Sequence, residues 1–547
     1  MNSRPVLVLG ATGVFGGLAC RLLRRHGVRV VAAGRNRARL DALAAELDLT
    51  VEAANLPDDL DALLEKHAPA LVIDTCGPFQ QRDYAMPRAC IAHRTHYIDL
   101  SDGREDVAAI GSLDRKAREA GIAVIAGASA VPGLSSAVVD ALSPHFSSVE
   151  SIETAIAPGN DAPRGRAVIA SILSYLGKPI PRWQDGVWTS VHGWQDMRVV
   201  AFEELGRRRV AACDVPDTAI FPLRYPHLRS VSFHAGLELP FYQWSFWLLS
   251  WPVRWGLLRD ATVLTGPLKF VADVTRRFGT ATGGMRVRID GLGLDARPRR
   301  AVWTLVARQG DGPLIPVIPA VALALAILRG NVPEAGARAC MGDVALRDIA
   351  ALFAGHAIEA SLTVEAPPSL FRRALGEDFD RLPAAIRSVH ELSHDTTLRG
   401  RGAVEHGENL LARLAAWLRI LPPEGDDFPV AVGFGLAPGR ERWRRSFNGH
   451  VESSVLSRPG PGFVMERFGP LDVRMDLSVA DNGIDFHIGR NRLFGLPLPL
   501  PRWLGLSAHA REACDSQGRF TFDVSIDLPL GLRLIRYRGW LAPASAG

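Results

Sequence analysis

The apolar positions of this chain change period several times, and each change marks an element. Val6 to Leu9 is an unbroken apolar run, the pattern of a parallel strand buried on both faces, whereas Leu18, Leu22 and Leu23 share one face of a helix over Leu18 to Arg25. Strand-like and helical stretches then alternate through Val28 to Ala33, "LTVEAAN", "DDLDALLEKH", "ALVIDTCGPF", "AMPRACIAHR", "THYIDL" and "AVIAGAS". This alternation predicts an α/β domain over residues 1–140, built on a doubly wound parallel sheet. Residues 141–311 mix strand-like runs such as "SVSFHAGLEL" and "MRVRIDGLG" with helices, as an inserted α+β domain for substrate or dimerisation would. "PLIPVIPAVALALAILRG" opens on Pro316 and Pro319 and closes at Gly330, so it reads as a buried helix returning the chain to the first domain, which is completed over about residues 312–365.

From 370 to 547 the period is mostly two. Val473, Met475, Leu477 and Val479 alternate with polar residues, "DNG" at 481–483 signals a tight turn, and Ile484, Phe486 and Ile488 alternate on the way back; Phe520, Phe522, Val524 and Ile526 repeat the pattern. We expect a C-terminal α+β domain rich in antiparallel strands. Its single apolar face must be covered, either by a curl of the sheet that leaves a dry pocket, by a solid core, or by an oligomer contact. Leu410, Leu411, Leu414, Trp417 and Leu418 fall on one helical face ahead of these strands.

The first strand and first helix are joined by Gly10-Ala-Thr-Gly13-Val-Phe-Gly16-Gly17. A dinucleotide pyrophosphate can approach a backbone only where Cβ atoms are absent. Gly10 would allow the tight turn, Gly13 the close contact and Gly16 the packing of helix on strand, with Thr12, Val14 and Phe15 offering the free amides of a helix N-terminus. The second strand ends at Gly34-Arg35-Asn36-Arg37, where the adenosine ribose would lie. An acidic residue there would bind the 2′-hydroxyl of NAD, whereas Arg35, helped by Arg37 or Arg39, suits the 2′-phosphate of NADP. One such charge-assisted bond contributes about 1.5–3 kcal/mol, roughly ten- to a hundredfold in cofactor preference.

Composition narrows the partners. Net charge is only +5 in 547 residues and no basic stretch is interleaved with aromatics, which argues against nucleic acid. The six cysteines are widely separated and no export signal precedes the first strand, which fits the cytoplasm. "LELPFYQWSFWLLSWPVRWGLL" places Trp244, Trp247, Trp251 and Trp255 along one helical face if Pro252 only kinks it. Such a stripe packs in a core or homodimer interface, or lies in a membrane surface; it is too short to span a bilayer. "HELSH" at 390–394 matches the zinc-protease pattern H-E-x-x-H, but no third ligand follows at the metzincin spacing, so surface histidines on a helix are the plainer expectation and no metal is assigned.

"GATGVFGG", "AGRNRARLDALA", "VIDTCGPFQQ", "HYIDLSD" and "GASAVPGLSSAVVDAL", in this order, resemble the saccharopine dehydrogenase-like NADP-binding oxidoreductases, and the likeness continues more loosely to about residue 365 through "GNDAPRGRAV" and "DGPLIPVIPA". From about residue 370 the chain resembles an uncharacterised domain fused to such reductases. The resemblance implies a Rossmann domain with an inserted substrate domain. It implies hydride transfer between NADP(H) and a C=O, C=N or activated C=C bond, for which we expect a lipophilic small molecule. Gly77, Pro78 and Phe79 would line the nicotinamide, and Tyr97, Asp99 and Ser101 are the candidate proton donors by position. No tyrosine is followed by lysine four residues on, which argues against short-chain dehydrogenase chemistry. The alternative is a non-catalytic NADP-binding or lipid-binding module held at a membrane surface.

Overall fold

In the computed structural model, residues 4–543 are described apart from 78, 80–82, 163–164, 185, 203, 296, 393–395, 419–420, 438, 470, 481, 494–495, 498–506 and 529–530. Contacts gather the chain into two compact units, one of residues 1–290 and 301–364 and one of 291–300 and 365–547. The Rossmann-type sheet and the sheet of the inserted segment thus belong to one unit, and the C-terminal domain forms the other.

The first unit opens with β1 (Val6–Leu9), α1 (Val14–Arg25), β2 (Val30–Gly34), α2 (Arg37–Leu47), β3 (Thr50–Ala53), β4 (Leu71–Asp74), β5 (His96–Asp99) and β6 (Ala123–Ala126). A seventh strand, Gly336–Ala339, arrives after the inserted segment and pairs with β6 in parallel. From that edge the order runs through β6, β5, β4, β1, β2 and β3. It reverses direction at β1 and β4, and ligands of open α/β sheets lie beyond the strand ends at such a switch point. Strand parity sorts the side chains into two cores. Val6, Val8, Ile73 and Ile98 join one cluster with α1 and the buried helix Ile318–Leu328, while Leu7, Leu9, Val72 and Tyr97 join the cluster on the other face.

The inserted segment supplies most of a second seven-stranded sheet, with Phe146–Ala157 at its centre beside Ser230–Ala235 and Gly283–Gly293. Pro252 sits inside the helix Pro240–Arg254 without ending it. Tyr242, Phe246 and Val253 bury one face of that helix. The four tryptophans follow one another along it instead as a ladder, with ring centroids 5.6, 5.7 and 5.3 Å apart, the first two pairs edge-to-face and the last tilted, and Trp244 and Trp255 are exposed. The stripe is therefore not core packing in this chain.

In the second unit the antiparallel strands form a meander whose first strand, Thr396–His406, pairs with the last, Leu532–Pro543, closing a barrel of ten strands. Closure covers the apolar face with itself and removes both edges. Two short helices, Leu370–Leu375 and Ala384–His390, put Phe371 and His390 among the inward residues Trp443, Phe486 and Phe520. The H-E-x-x-H reading fails here, because the helix ends at His390. That histidine is fully buried rather than on the surface, with Nε2 2.6 Å from Glu512, and Glu391 binds Arg372 instead. His394 lies outside the described residues. The apolar face of the helix Leu410–Trp417 is open among the described residues: Leu410 and Trp417 are exposed.

Candidate active site

At the switch point the turn after β1 is bare. Gly10 adopts φ +77°, a conformation glycine takes at no steric cost. A Cβ on Gly16 would stand 2.7 Å from both the Gly10 carbonyl carbon and Thr75 Oγ1. The turn closes on itself through the Gly13 amide, which donates to the Gly10 carbonyl at 2.9 Å. Gly13 then caps α1 without any side-chain bond, and the first turn of α1 carries no acidic residue. Its leading amides and the positive end of the helix dipole are thus left to an external anion.

Gly10, Thr12, Gly13, Val14 and Phe15 line one end-to-end cleft of about 750 Å³ together with Arg35, Gly77 and Phe79. Eight residues predicted from sequence meet there. Gly16 works one layer behind, as packing. Arg37 turns away to pair with Asp41 at 2.9 Å, and Arg39 takes the place beside Arg35. The reason is the N-cap: Asn36 Oδ1 accepts the Arg39 amide at 3.0 Å, which starts α2 at Arg37 and sets Arg37 and Arg39 on different faces. Neither Arg35 nor Arg39 meets a carboxylate among the described residues. Pro78 lies outside the described residues.

Tyr97, Asp99 and Ser101 are all buried and absent from the cleft wall. Tyr97 and Asp99 point, by strand parity, into the other face of the sheet. The Tyr97 hydroxyl donates to Asp74 Oδ2 at 3.0 Å, and Asp74 Oδ1 accepts the Cys76 amide at 2.8 Å. Asp99 Oδ1 accepts the amides of Ser101 and Gly127 at 3.0 and 2.7 Å. These three residues hold the loops after β4, β5 and β6 in shape, and they line a small separate cavity that shares Phe79 and Met86 with the cleft wall. Polar residues that line the cleft beyond the glycine turn include Thr75, Cys76, Ser129, Arg166, Ser171 and Asp102, the last one residue beyond the expected loop donor; Ser171 Oγ donates to Asp102 Oδ2 at 3.4 Å. Asp102 stands in the same "IDLSD" loop that the sequence marked, whereas Arg166 and Ser171 belong to the helix Arg166–Tyr175, where no periodic signal separates them from their neighbours. Around these groups the wall is apolar, with Met86, Leu100, Val131, Ile156, Val168 and Pro316.

Residues 6–125 match the family model of the saccharopine dehydrogenase NADP binding domain, and residues 382–541 match a domain of unknown function, DUF4166. No curated protein matches the chain. Among solved structures, the apo saccharopine dehydrogenase (L-Glu forming) of Saccharomyces cerevisiae is similar at 12% identity and a TM-score of 0.48, over 66% of this chain and 100% of its own. A probable dehydrogenase from Thermotoga maritima is similar at 10% identity and a TM-score of 0.35, over 64% of this chain and 93% of its own. The yeast methylglyoxal/isovaleraldehyde reductase complexed with NADPH shares 17% identity over 18% of this chain and 37% of its own, with a TM-score of 0.16. The bare glycine turn and the family match agree: residues 6–125 form a saccharopine dehydrogenase-type NADP-binding domain, followed in the same chain by a separate DUF4166 domain.

Proposed function

We propose that the protein is an NADP(H)-dependent oxidoreductase that transfers hydride to or from a C=O, C=N or activated C=C bond of a lipophilic small molecule. One observation carries this reading. A single cleft runs from two arginines without carboxylate partners among the described residues, past a glycine turn with free helix amides, to an apolar chamber containing a few polar groups. Gly10, Thr12, Gly13, Val14 and Phe15 would hold the pyrophosphate, Arg35 and Arg39 the 2′-phosphate, and Gly77 with Phe79 the nicotinamide face. When bound, the cofactor supplies the hydride. The chain's own part is to exclude water through the apolar wall and to place a proton at the acceptor atom, a role we give to Asp102, the one carboxyl group on the cleft wall among the described residues, hydrogen-bonded by Ser171. The test is titration with NADPH, followed by a screen of apolar carbonyl and enone compounds for consumption of reduced nicotinamide. Turnover supports the oxidoreductase. Saturable NADPH binding without turnover across all bond classes would leave the non-catalytic module instead.

The proposal extends to location. All six cysteines are free, as a reducing cytoplasm allows, and among the described residues no helix is long and apolar enough to cross a membrane. Yet Phe241, Trp244, Leu248, Trp255, Phe270 and Phe278 are all exposed on residues 240–278, a stretch with five basic and two acidic side chains. Aromatic and aliphatic groups rimmed by cations suit the interface of an anionic membrane, to which we assign Trp244, Trp247 and Trp251 as contacts. Flotation with anionic vesicles tests it; a homodimer without flotation would reassign the face to a second copy.

A further inference from the structure

The barrel of the second unit is not filled. Its helix-plugged end is packed by Phe371, His390 and Trp443, but beyond them the inward side chains enclose a cavity of about 390 Å³. That is within the size range of small-molecule sites, and its wall is built from alternate strand residues such as Val432, Leu456, Val464, Met475, Val524 and Ile535. Apolar space of this size is unfavourable for water, which finds few partners there.

One part of the wall is polar, and its bookkeeping selects the ligand. Arg445 donates to Ser454 Oγ and to Glu466 Oε1, each at 2.8 Å, and Ser454 donates to the same carboxylate oxygen at 2.6 Å. The guanidinium is therefore already neutralised. Glu452, directly across the strand pair from Arg445, adds a second carboxylate to the lining. Tyr537 also lines the cavity, its ring tilted against Phe447 with centroids 5.0 Å apart, and its hydroxyl has no hydrogen-bond partner among the described residues. An entering anion would meet three carboxylates, those of Glu452, Glu466 and Glu512, against one paired arginine, and burying it would cost more than the remaining guanidinium donors return. A neutral hydroxyl or carbonyl meets no such penalty and would satisfy the Tyr537 hydroxyl.

We infer that the barrel binds an elongated apolar molecule ending in an uncharged hydrogen-bonding group, an alcohol, ketone or ester, and rejects the corresponding carboxylate. The site stands independently of the reductase reading, because every wall residue belongs to the second unit.

The test uses the full chain and the uncharged dye Nile red. Saturable dye binding, displaced by dodecanol or by a long-chain methyl ketone at least about tenfold more tightly than by dodecanoate at neutral pH, is the expected result. Tyr537→Phe keeps the ring and its packing but removes the hydroxyl, so dodecanol should bind about two- to tenfold more weakly, the loss of one neutral hydrogen bond, while the weak binding of dodecanoate changes little. Val464→Trp should fill the cavity and abolish dye binding, with an unchanged far-ultraviolet circular dichroism spectrum reporting that the barrel is still folded. Equal displacement by dodecanoate, an unaltered dodecanol affinity in Tyr537→Phe, or no saturable dye binding by the native chain would each overturn the inference. None of these results depends on whether NADPH binds or turns over.

Discussion

The two interior spaces of this protein are made by opposite means. The cleft of the first unit is shaped by missing side chains: glycines let backbone amides face outward, and binding falls to main-chain N–H groups and a helix end. The barrel cavity is shaped entirely by side chains pointing inward from alternate positions, while the backbone spends its hydrogen bonds on neighbouring strands. The first arrangement suits a strongly charged ligand, because amides and guanidinium groups replace lost hydration. The second suits an apolar one, because it offers almost nothing to a charge. Substitutions should therefore separate the two sites cleanly.

The sharpest break is Gly16→Ala. The added carbon collides with the Gly10 carbonyl and Thr75, so α1 must shift away from β1, and NADPH affinity should drop by more than about thirtyfold with Nile red binding by the barrel unchanged. Paired loss of both affinities would show instead that the variant had unfolded generally. Next in size, the double substitution of Arg35 and Arg39 by alanine should weaken NADPH about ten- to a hundredfold while NADH changes little, measured by fluorescence titration. An equal loss for both nucleotides would place the 2′-phosphate elsewhere.

A smaller effect sharpens the comparison through pH. Both carboxylate oxygens of Asp217 are buried, and burial, only partly offset by the nearby Ser135 hydroxyl, pushes its pKa up to about 7. The folded chain then keeps this proton where the unfolded chain has released it. The stabilising contribution is present in acid and is lost progressively as pH rises from the ordinary carboxylate range to about 7, with no further change above. Asp217→Asn should remove that slope from the melting temperature of the first unit and raise it at pH 8, leaving the barrel transition where it was. The smallest effect is expected on the exposed face of the helix Leu410–Trp417. Leu410→Ser and Trp417→Ser should shift stability by no more than about 0.5 kcal/mol, since both side chains are exposed among the described residues, and a loss of several kcal/mol in urea titration would refute that.

Much of the first unit was legible before any coordinates. The order of strands, the turn between Gly10 and Gly17 and the placement of Arg35 follow from local patterns, and the structure brings eight of the expected cofactor-side residues to one cleft. Arg37 was misplaced by a capping detail, the Asn36 side chain, that decides which arginine faces inward. Tyr97, Asp99 and Ser101 line a small neighbouring cavity and not the cleft itself, for a different reason. Their position at a strand end puts them near the cofactor side, yet it does not say on which face of the sheet their side chains fall, and hydrogen bonds to Asp74 and Gly127 commit two of them to structure.

What the sequence determined by itself is therefore whatever depends on a few consecutive residues: where the chain needs a residue without Cβ, where a helix begins, and which positions of a strand are apolar. What only the tertiary structure decided is what those apolar positions face. The period-two pattern after residue 395 is the same for an open sheet, a sandwich or a ring; pairing of Thr396–His406 with Leu532–Pro543, more than a hundred residues apart, turned it into a closed barrel. Contacts of that range depend on which surfaces are left once every local element has formed, and no short window of sequence carries that information.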